Sequence, residues 1–240
     1  MILGYDTFTP GTFVDAFRFM ADNPSLMWEK TAEHLQVSGE AIGIALLIGI
    51  PLGVWLGHLH RGAFAAINAS NILRALPSLA VIAIGLGFFG IDQTNVVFAL
   101  VVLGFPVILT NAYVAVDSVE PDAVEAARGM GMRPLQILVK VELPLALPLI
   151  FAGIRTAAVF VVATATLGGI VGGGGLGDLI VNQASYLARG VIAGAIAVTA
   201  LAFAADFALW LVQRTVTPKA LRGEPAHEPD LARVVPVLEQ

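Results

Sequence analysis

Residues 94–116 read TNVVFALVVLGFPVILTNAYVAV, twenty-three positions without one charged side chain. A helix that crosses a bilayer needs about 20 predominantly apolar residues, and this stretch supplies them. A buried helix in a water-soluble core is a poor alternative, because no charge anywhere marks a face toward water. Working outward, similar runs occur at 35–57, 75–90, 148–170 and 190–212, so with 95–116 the chain offers five spans. The run at 75–90 is the shortest. It is separated from the next by the polar turn Ile91-Asp92-Gln93-Thr94.

Composition agrees. Hydrophobic residues make up 57% of the 240 and charged residues 13%, against about 45–50% and about 25% in soluble domains. Mean hydropathy is +0.83. The absence of cysteine removes disulfides, thiol nucleophiles and Cys-ligated metals together. A net charge of -5 excludes the basic footprint of a nucleic-acid binder. The first positive charge is Arg18, so no basic leader segment is expected.

Lys and Arg set the expected orientation. Arg61, Arg74, Arg128, Arg133, Lys140, Arg155, Arg214, Lys219, Arg222 and Arg233 fall toward one face, and Arg18, Lys30 and Arg189 toward the other. The expected fold is therefore an all-α polytopic membrane protein of about five transmembrane helices, N-terminus outside and C-terminus cytoplasmic. Residues 1–34 form an extracytoplasmic or interfacial segment, with a helix starting at Asn23-Pro24. Residues 35–213 form the transmembrane domain, with a cytoplasmic loop at 117–147. Residues 214–240, with Pro225, Pro229 and Pro236 among scattered charges, are expected to be a disordered cytoplasmic tail.

The loop is the most informative segment. Glu120-Pro121-Asp122 opens a helix, with Pro at the first position and acids at the positive end of the dipole. Gly129 and Gly131 break it. Arg133-Pro134 starts a second helix, which Leu143-Pro144 should end. Two short helices joined by a glycine elbow are expected, with Ala126 and Ala127 admitting another protein's backbone and Glu125 offering a docking charge. An ordinary amphipathic connection between spans explains the same residues.

Taken together, Glu125-Ala126-Ala127, three residues, Gly131, nine residues, then Val141-Glu142-Leu143-Pro144 resembles the EAA loop of ABC-importer permeases. The one departure is Val141 where that pattern has Ile. The resemblance extends over most of the chain and implies that Glu125, Ala126, Ala127, Gly131, Val141, Leu143 and Pro144 dock a separate ATPase and transmit its closure. It also implies the partners: a pair of cytoplasmic ATP-binding subunits, a second permease copy, identical or related, and an extracytoplasmic solute-binding protein. The chain itself would be a multi-pass component of the plasma (inner) membrane, carrying no cofactor, metal or catalytic residue.

EAARGMGMRPLQILVKVELPLALPLIFAGIR at 125–155 and TAAVFVVATATLGGIVGGGGLGDLI at 156–180 look more narrowly like osmoprotectant permeases, which serve glycine betaine, carnitine, choline or proline. The GGGGLGD run is shared with methionine-importer permeases, so methionine or another small amino acid is the alternative solute. A passive channel or ion-coupled carrier is the rival class; a carrier would normally show more intramembrane acids and an internal repeat, and neither is evident.

Gly172, Gly173, Gly174, Gly175 and Gly177 also match G-x-G-x-x-G, but no βαβ unit surrounds them, so a dinucleotide site is rejected. They are expected to let a span end unwind or pack closely, or to act as a hinge. Gly39/Gly43, Gly49/Gly53 and Gly53/Gly57 have the small-xxx-small spacing of tight helix packing. Asp206 is an intramembrane charge. It would snorkel, face a partner, pair with Arg155 or serve the pathway. Phe88, Phe89, Phe98, Phe105 and Phe160 would either cage a cationic solute or face lipid. His34, His58, His60 and His227 form no metal-ligand pattern, with His58 and His60 placed in a loop.

Overall fold

The structure, a computed structural model, describes residues 9–60 and 63–217; of the tail expected at 214–240, residues 214–216 instead complete the last helix, and 218–240, with His227, lie outside the described residues. Among the described residues every regular element is a helix. Proline sets several of the starts. Helix α1 (Pro10–Asp22) and α2 (Pro24–His58) each open on Pro, where the missing N–H has no intrahelical partner to lose. Asn23 stands at the expected boundary, but its side chain donates to Phe19 O (2.9 Å), closing α1 rather than capping α2. Helix α2 begins eleven residues before the expected span, and α1 packs along the later helix α10 through Ala16, Ile192 and Ala193.

The expected span 75–90 is a shorter helix than drawn, and a separate helix precedes it. Helix α3 (Ala63–Ala75) stops, and α4 (Ser78–Phe89) restarts after Pro77 at ψ 131°. Pro77 has no N–H and disfavours helical geometry at Leu76. At twelve residues, α4 rises about 18 Å, short of the hydrocarbon thickness of about 30 Å. Among the described residues four helical stretches are long and apolar enough to cross alone: Pro24–His58, Gln93–Asp117, Pro134–Val171 and Gln183–Val216. Helix α5 (Gln93–Asp117) is the charge-free run that opened the sequence. Asp92 caps it, accepting from the Thr94 hydroxyl (2.6 Å) and the Thr94 N–H (3.3 Å). Those donors hold its carboxyl below the usual carboxylate range.

Helices α2 and α5 run parallel in close contact. A Cβ on Gly49 would meet Ile108, on Gly53 Leu109 and Ala112, and on Gly57 Tyr113 and Val116, in rising order on both helices. Parallel neighbours require the chain to return between them, so α3 and α4 together supply the missing crossing. The small-residue spacing therefore has a partner from Gly49 to Gly57, whereas Gly39 and Gly43 meet nothing within 4 Å. Gly53→Ala is expected to lower stability by about 1–3 kcal/mol through overpacking against backbone, and Gly39→Ala to be neutral. Thermal unfolding of both variants in detergent checks this, and equal melting temperatures would refute the α2–α5 contact.

Beyond α5, α6 (Pro121–Gly129) and α7 (Pro134–Ile137) form the loop. Leu143-Pro144 does not end the second loop helix, as expected from sequence. The chain passes from α7 through a π-helical turn, Leu138–Glu142, into α8 (Leu143–Thr164) without leaving helical geometry. Leu143 N–H reaches back to Leu138 O, five residues away. The wide turn puts Pro144 in the first turn of a restarted helix, the one place where its missing N–H is tolerated. A 3-10 stretch (Ala165–Val171), short α9 (Gly177–Val181) and long α10 (Gln183–Val216) complete the fold. One core cluster near the glycine-rich turn joins Val37, Val81, Leu100 and Val161; another at the loop end joins Val116, Val119, Leu138 and Ile150.

Candidate functional site

The loop end is built on the cap of α6. Gly131 has φ +80°, a left-handed conformation that glycine adopts without strain. Its N–H donates to Arg128 O (2.9 Å), and Met132 N–H donates to Ala127 O (3.2 Å). That pair of bonds is a Schellman closure, and it sets the angle at which α6 gives way to α7. The glycine thus has a local reason, and nothing lies within 4 Å of a Cβ placed there.

The motif residues divide by face. Ala127 is buried at 1% exposure, while Glu125, Ala126 and Gly131 are exposed on the surface. Val141, Leu143 and Pro144 are half-buried where the π turn enters α8. Ile137 and Leu138 anchor the second arm inside the protein. One arm therefore presents a charge and a small side chain outward, and the other is rooted in the helix bundle. Behind the elbow lies a cleft of about 490 Å³ lined by His58, His60, Arg128, Met132, Ile137 and Glu142.

Of the two histidines expected in a loop, His60 lies in the turn after α2 and His58 does not. His58 is the last residue of α2, not a loop residue, and its Nδ1 lies 2.6 Å from Glu142 Oε2. His60 Nδ1 lies 2.9 Å from Asp117 Oδ1. Glu142, at 2% exposure, occupies the variable position of the motif. It was passed over because a single carboxylate there carries no pattern. Burial of a charge is the signal, and burial is not written in the sequence.

At the opposite end of α8 the glycine-rich segment turns sharply. Gly172, Gly174 and Gly175 have φ of +69°, +73° and +78°. Gly173 lies against Val96, and Gly177 so close to Thr166 O that a Cβ would collide with that carbonyl. Gly175 N–H donates to Glu33 Oε2 (2.7 Å), and Lys30 Nζ bridges Glu33 Oε2 (3.0 Å) and Asp178 Oδ2 (2.9 Å). Next to it, buried His34 places Nε2 2.9 Å from Val162 O. The start of α2 and the glycine turn are thus tied by a polar cluster that spacing alone did not reveal.

Asp206 pairs with Arg155 through both oxygens, at 2.9 Å to Nε and 2.7 Å to Nη2. This is one of the alternatives expected for it, and it joins α8 to α10. Gln213 extends the seam by donating to Pro148 O (3.1 Å). A separate cleft of about 510 Å³ at the α3–α4 break is lined by Arg74, Ser78, Asn111, Thr156 and Phe160. Phe89 and Phe98 meet at a tilt of 43° with ring centroids 5.1 Å apart, and Phe88 is exposed. Among the described residues no group of three or more His, Asp or Glu is placed to hold a metal ion.

Comparison with known proteins places this geometry. The family described as binding-protein-dependent transport system inner membrane component matches residues 49–218. The chain is 38% identical to the glycine betaine/carnitine/choline transport system permease protein OpuCB of Bacillus subtilis, over 85% of this chain and 95% of that protein. It is 36% identical to the osmoprotectant import permease protein OsmW of Salmonella typhimurium, over 87% and 100%. Among solved structures, the MetNI methionine ABC transporter in an inward-facing conformation superposes with TM-score 0.72 at 26% identity, covering 82% of this chain and 99% of that one. With four apolar helices long enough to cross a membrane, the chain belongs to the family of binding-protein-dependent transport system inner membrane components, as a multi-pass transport permease and not an enzyme.

Proposed function

We propose that this chain is the permease subunit of an ATP-driven importer for osmoprotectants such as glycine betaine, carnitine or choline. The observation that carries this reading is identity of 36–38% over at least 85% of the chain to permeases named for those solutes. A pair of ATP-binding subunits docks at the loop from Glu125 to Pro144, and a separate binding protein delivers solute at the opposite face. The loop faces the cytoplasm and the N-terminus lies outside, supported by the excess of Lys and Arg at the loop end. Two permease copies form the pathway, because about five crossings are too few to enclose one. Closure of the ATPases draws the loops together and switches the pathway between its inward-open and outward-open forms.

The experiment is reconstitution. The chain is co-expressed with the ATPase and binding protein that co-purify with it, placed in proteoliposomes, and tested with radiolabelled glycine betaine, choline, carnitine and methionine. ATP-dependent uptake of one of the first three is expected. Uptake of methionine alone would move the protein to the amino-acid branch, and uptake that persists without ATP would make it a carrier or channel.

A further inference from the structure

We propose that His58 and His60 clasp the two roots of the coupling loop to the end of α2, making α2 part of the lever that the loop moves. The loop is covalently continuous with α5 at one root and α8 at the other, but not with α2. Asp117 is the last residue of α5, and Glu142 the last before α8. The turn His58-Leu59-His60 reaches both: His58 to Glu142 at 2.6 Å, His60 to Asp117 at 2.9 Å. Each root of the loop therefore ends on a carboxylate, and each carboxylate meets one histidine of the same three-residue turn.

Three features argue that the arrangement is built. Glu142 is 2% exposed, and a carboxylate taken out of water is costly unless a partner meets it. His58 supplies that partner, with Nδ1 2.6 Å from Glu142 Oε2, inside hydrogen-bond distance. His60 has φ +47°, an uncommon left-handed conformation for a non-glycine residue, though histidine adopts it more readily than most. Its N–H bonds to Gly57 O (3.0 Å) and its ring to Asp117. Finally, the π turn that presents Glu142 is the same turn that joins the loop to α8, and such turns recur where a helix must carry a function.

Mechanically, Gly49, Gly53 and Gly57 already hold α2 against α5 with no space for a methyl group. The clasp adds the α8 root to that pair. Displacement of α6 and α7 then reaches α2 as well as α5 and α8, the two helices with which the loop is continuous. His58, His60, Glu142 and Asp117 are thus positioning residues for coupling.

The inference rests on the loop docking the ATPase, and the test separates the two. In proteoliposomes holding the permease, its ATPase and its binding protein, uptake of radiolabelled glycine betaine, choline and carnitine is measured beside ATP hydrolysis. Glu142→Ala and His58→Ala should each lower solute moved per ATP by about fivefold or more, the scale of an allosteric coupling, with assembly retained. Glu142→Gln, which still hydrogen-bonds His58, should stay within about twofold of wild type. The pair His58→Leu with Glu142→Leu removes the buried carboxylate together with its half-buried partner and leaves no orphan charge. It should be as uncoupled as either single variant. An unchanged ratio in that double variant, or equal falls in uptake and hydrolysis, would overturn the clasp. Glu125→Arg run alongside should lower recovery of the ATPase. Full recovery would sink the docking reading whatever the clasp variants do.

Discussion

Gly131→Pro is expected to abolish uptake while leaving membrane insertion and span packing intact. Gly131 sits at φ +80° and donates its N–H to Arg128 O. Proline is fixed near -65° and has no N–H, so it destroys the cap twice, at a cost of about 3 kcal/mol or more. It also disfavours the present conformation of Met130, φ -76° and ψ 2°. A Cβ at this position meets nothing within 4 Å, so the damage stays in the elbow and does not spread through the core. The angle between α6 and α7 changes, and with it the presentation of Glu125 and Ala126. A graded series sharpens the test: Asn, which tolerates left-handed geometry, should retain most uptake. Alanine should lose about 1–2 kcal/mol at the cap and part of the activity. Proline should lose roughly tenfold or more, as expected when over 1.4 kcal/mol is withdrawn. Uptake by the proline variant at the wild-type rate, with normal surface expression, would show that the elbow does not couple.

Asp206→Leu is expected to destabilise the protein by about 3 kcal/mol, the range found when one partner of a desolvated pair is removed and the cost of a lone charge within a span. Both oxygens of Asp206 are committed to Arg155, at 2.9 and 2.7 Å. Without them the guanidinium keeps only Gln213 Oε1 at 3.5 Å. The expected result is a lower melting temperature in detergent and early loss of the α8–α10 contact. Arg155→Leu combined with Asp206→Leu should restore most of the stability, because two apolar side chains need no partner. Non-additivity measured as a double-variant cycle is the readout. If the double variant melts no higher than Asp206→Leu alone, the pair does more than neutralise two charges, and a place for Asp206 in the pathway regains force.

Helix content, the charge-free span at 95–116 and the end of that helix at Asp117 were legible from periodicity, charge and proline alone, whereas the far bound of the loop, drawn at Pro148, falls inside α8. These features are local: an apolar run of sufficient length has no other stable form in lipid, since its backbone must satisfy itself. The glycine elbow was legible for the same reason, because a left-handed cap is decided within six residues. Where local signals competed, sequence reasoning went astray. Pro77 shortened the run expected at 75–90 to a helix from Ser78 that is too short to cross alone, while Pro144, which resembled a stop, was absorbed by a π turn. Whether a proline ends a helix depends on whether the carbonyls it leaves free find other partners, and that is a property of the surroundings.

The candidate site shows the same boundary. Glu125 and Gly131 were found from spacing; Glu142, His58 and His60 were not, because their partners lie 84 and 57 positions away in the chain. The same holds for Lys30 and Asp178, 148 apart, and for the glycines of α2, of which only Gly49, Gly53 and Gly57 found a neighbouring helix within the chain. Residue chemistry by itself determined that this protein lives in a membrane, is helical and carries a two-armed loop. Tertiary structure decided which charges are buried against which partners, since the cost of an unpaired charge depends on the dielectric that packing creates around it, and packing is fixed only when distant helices meet.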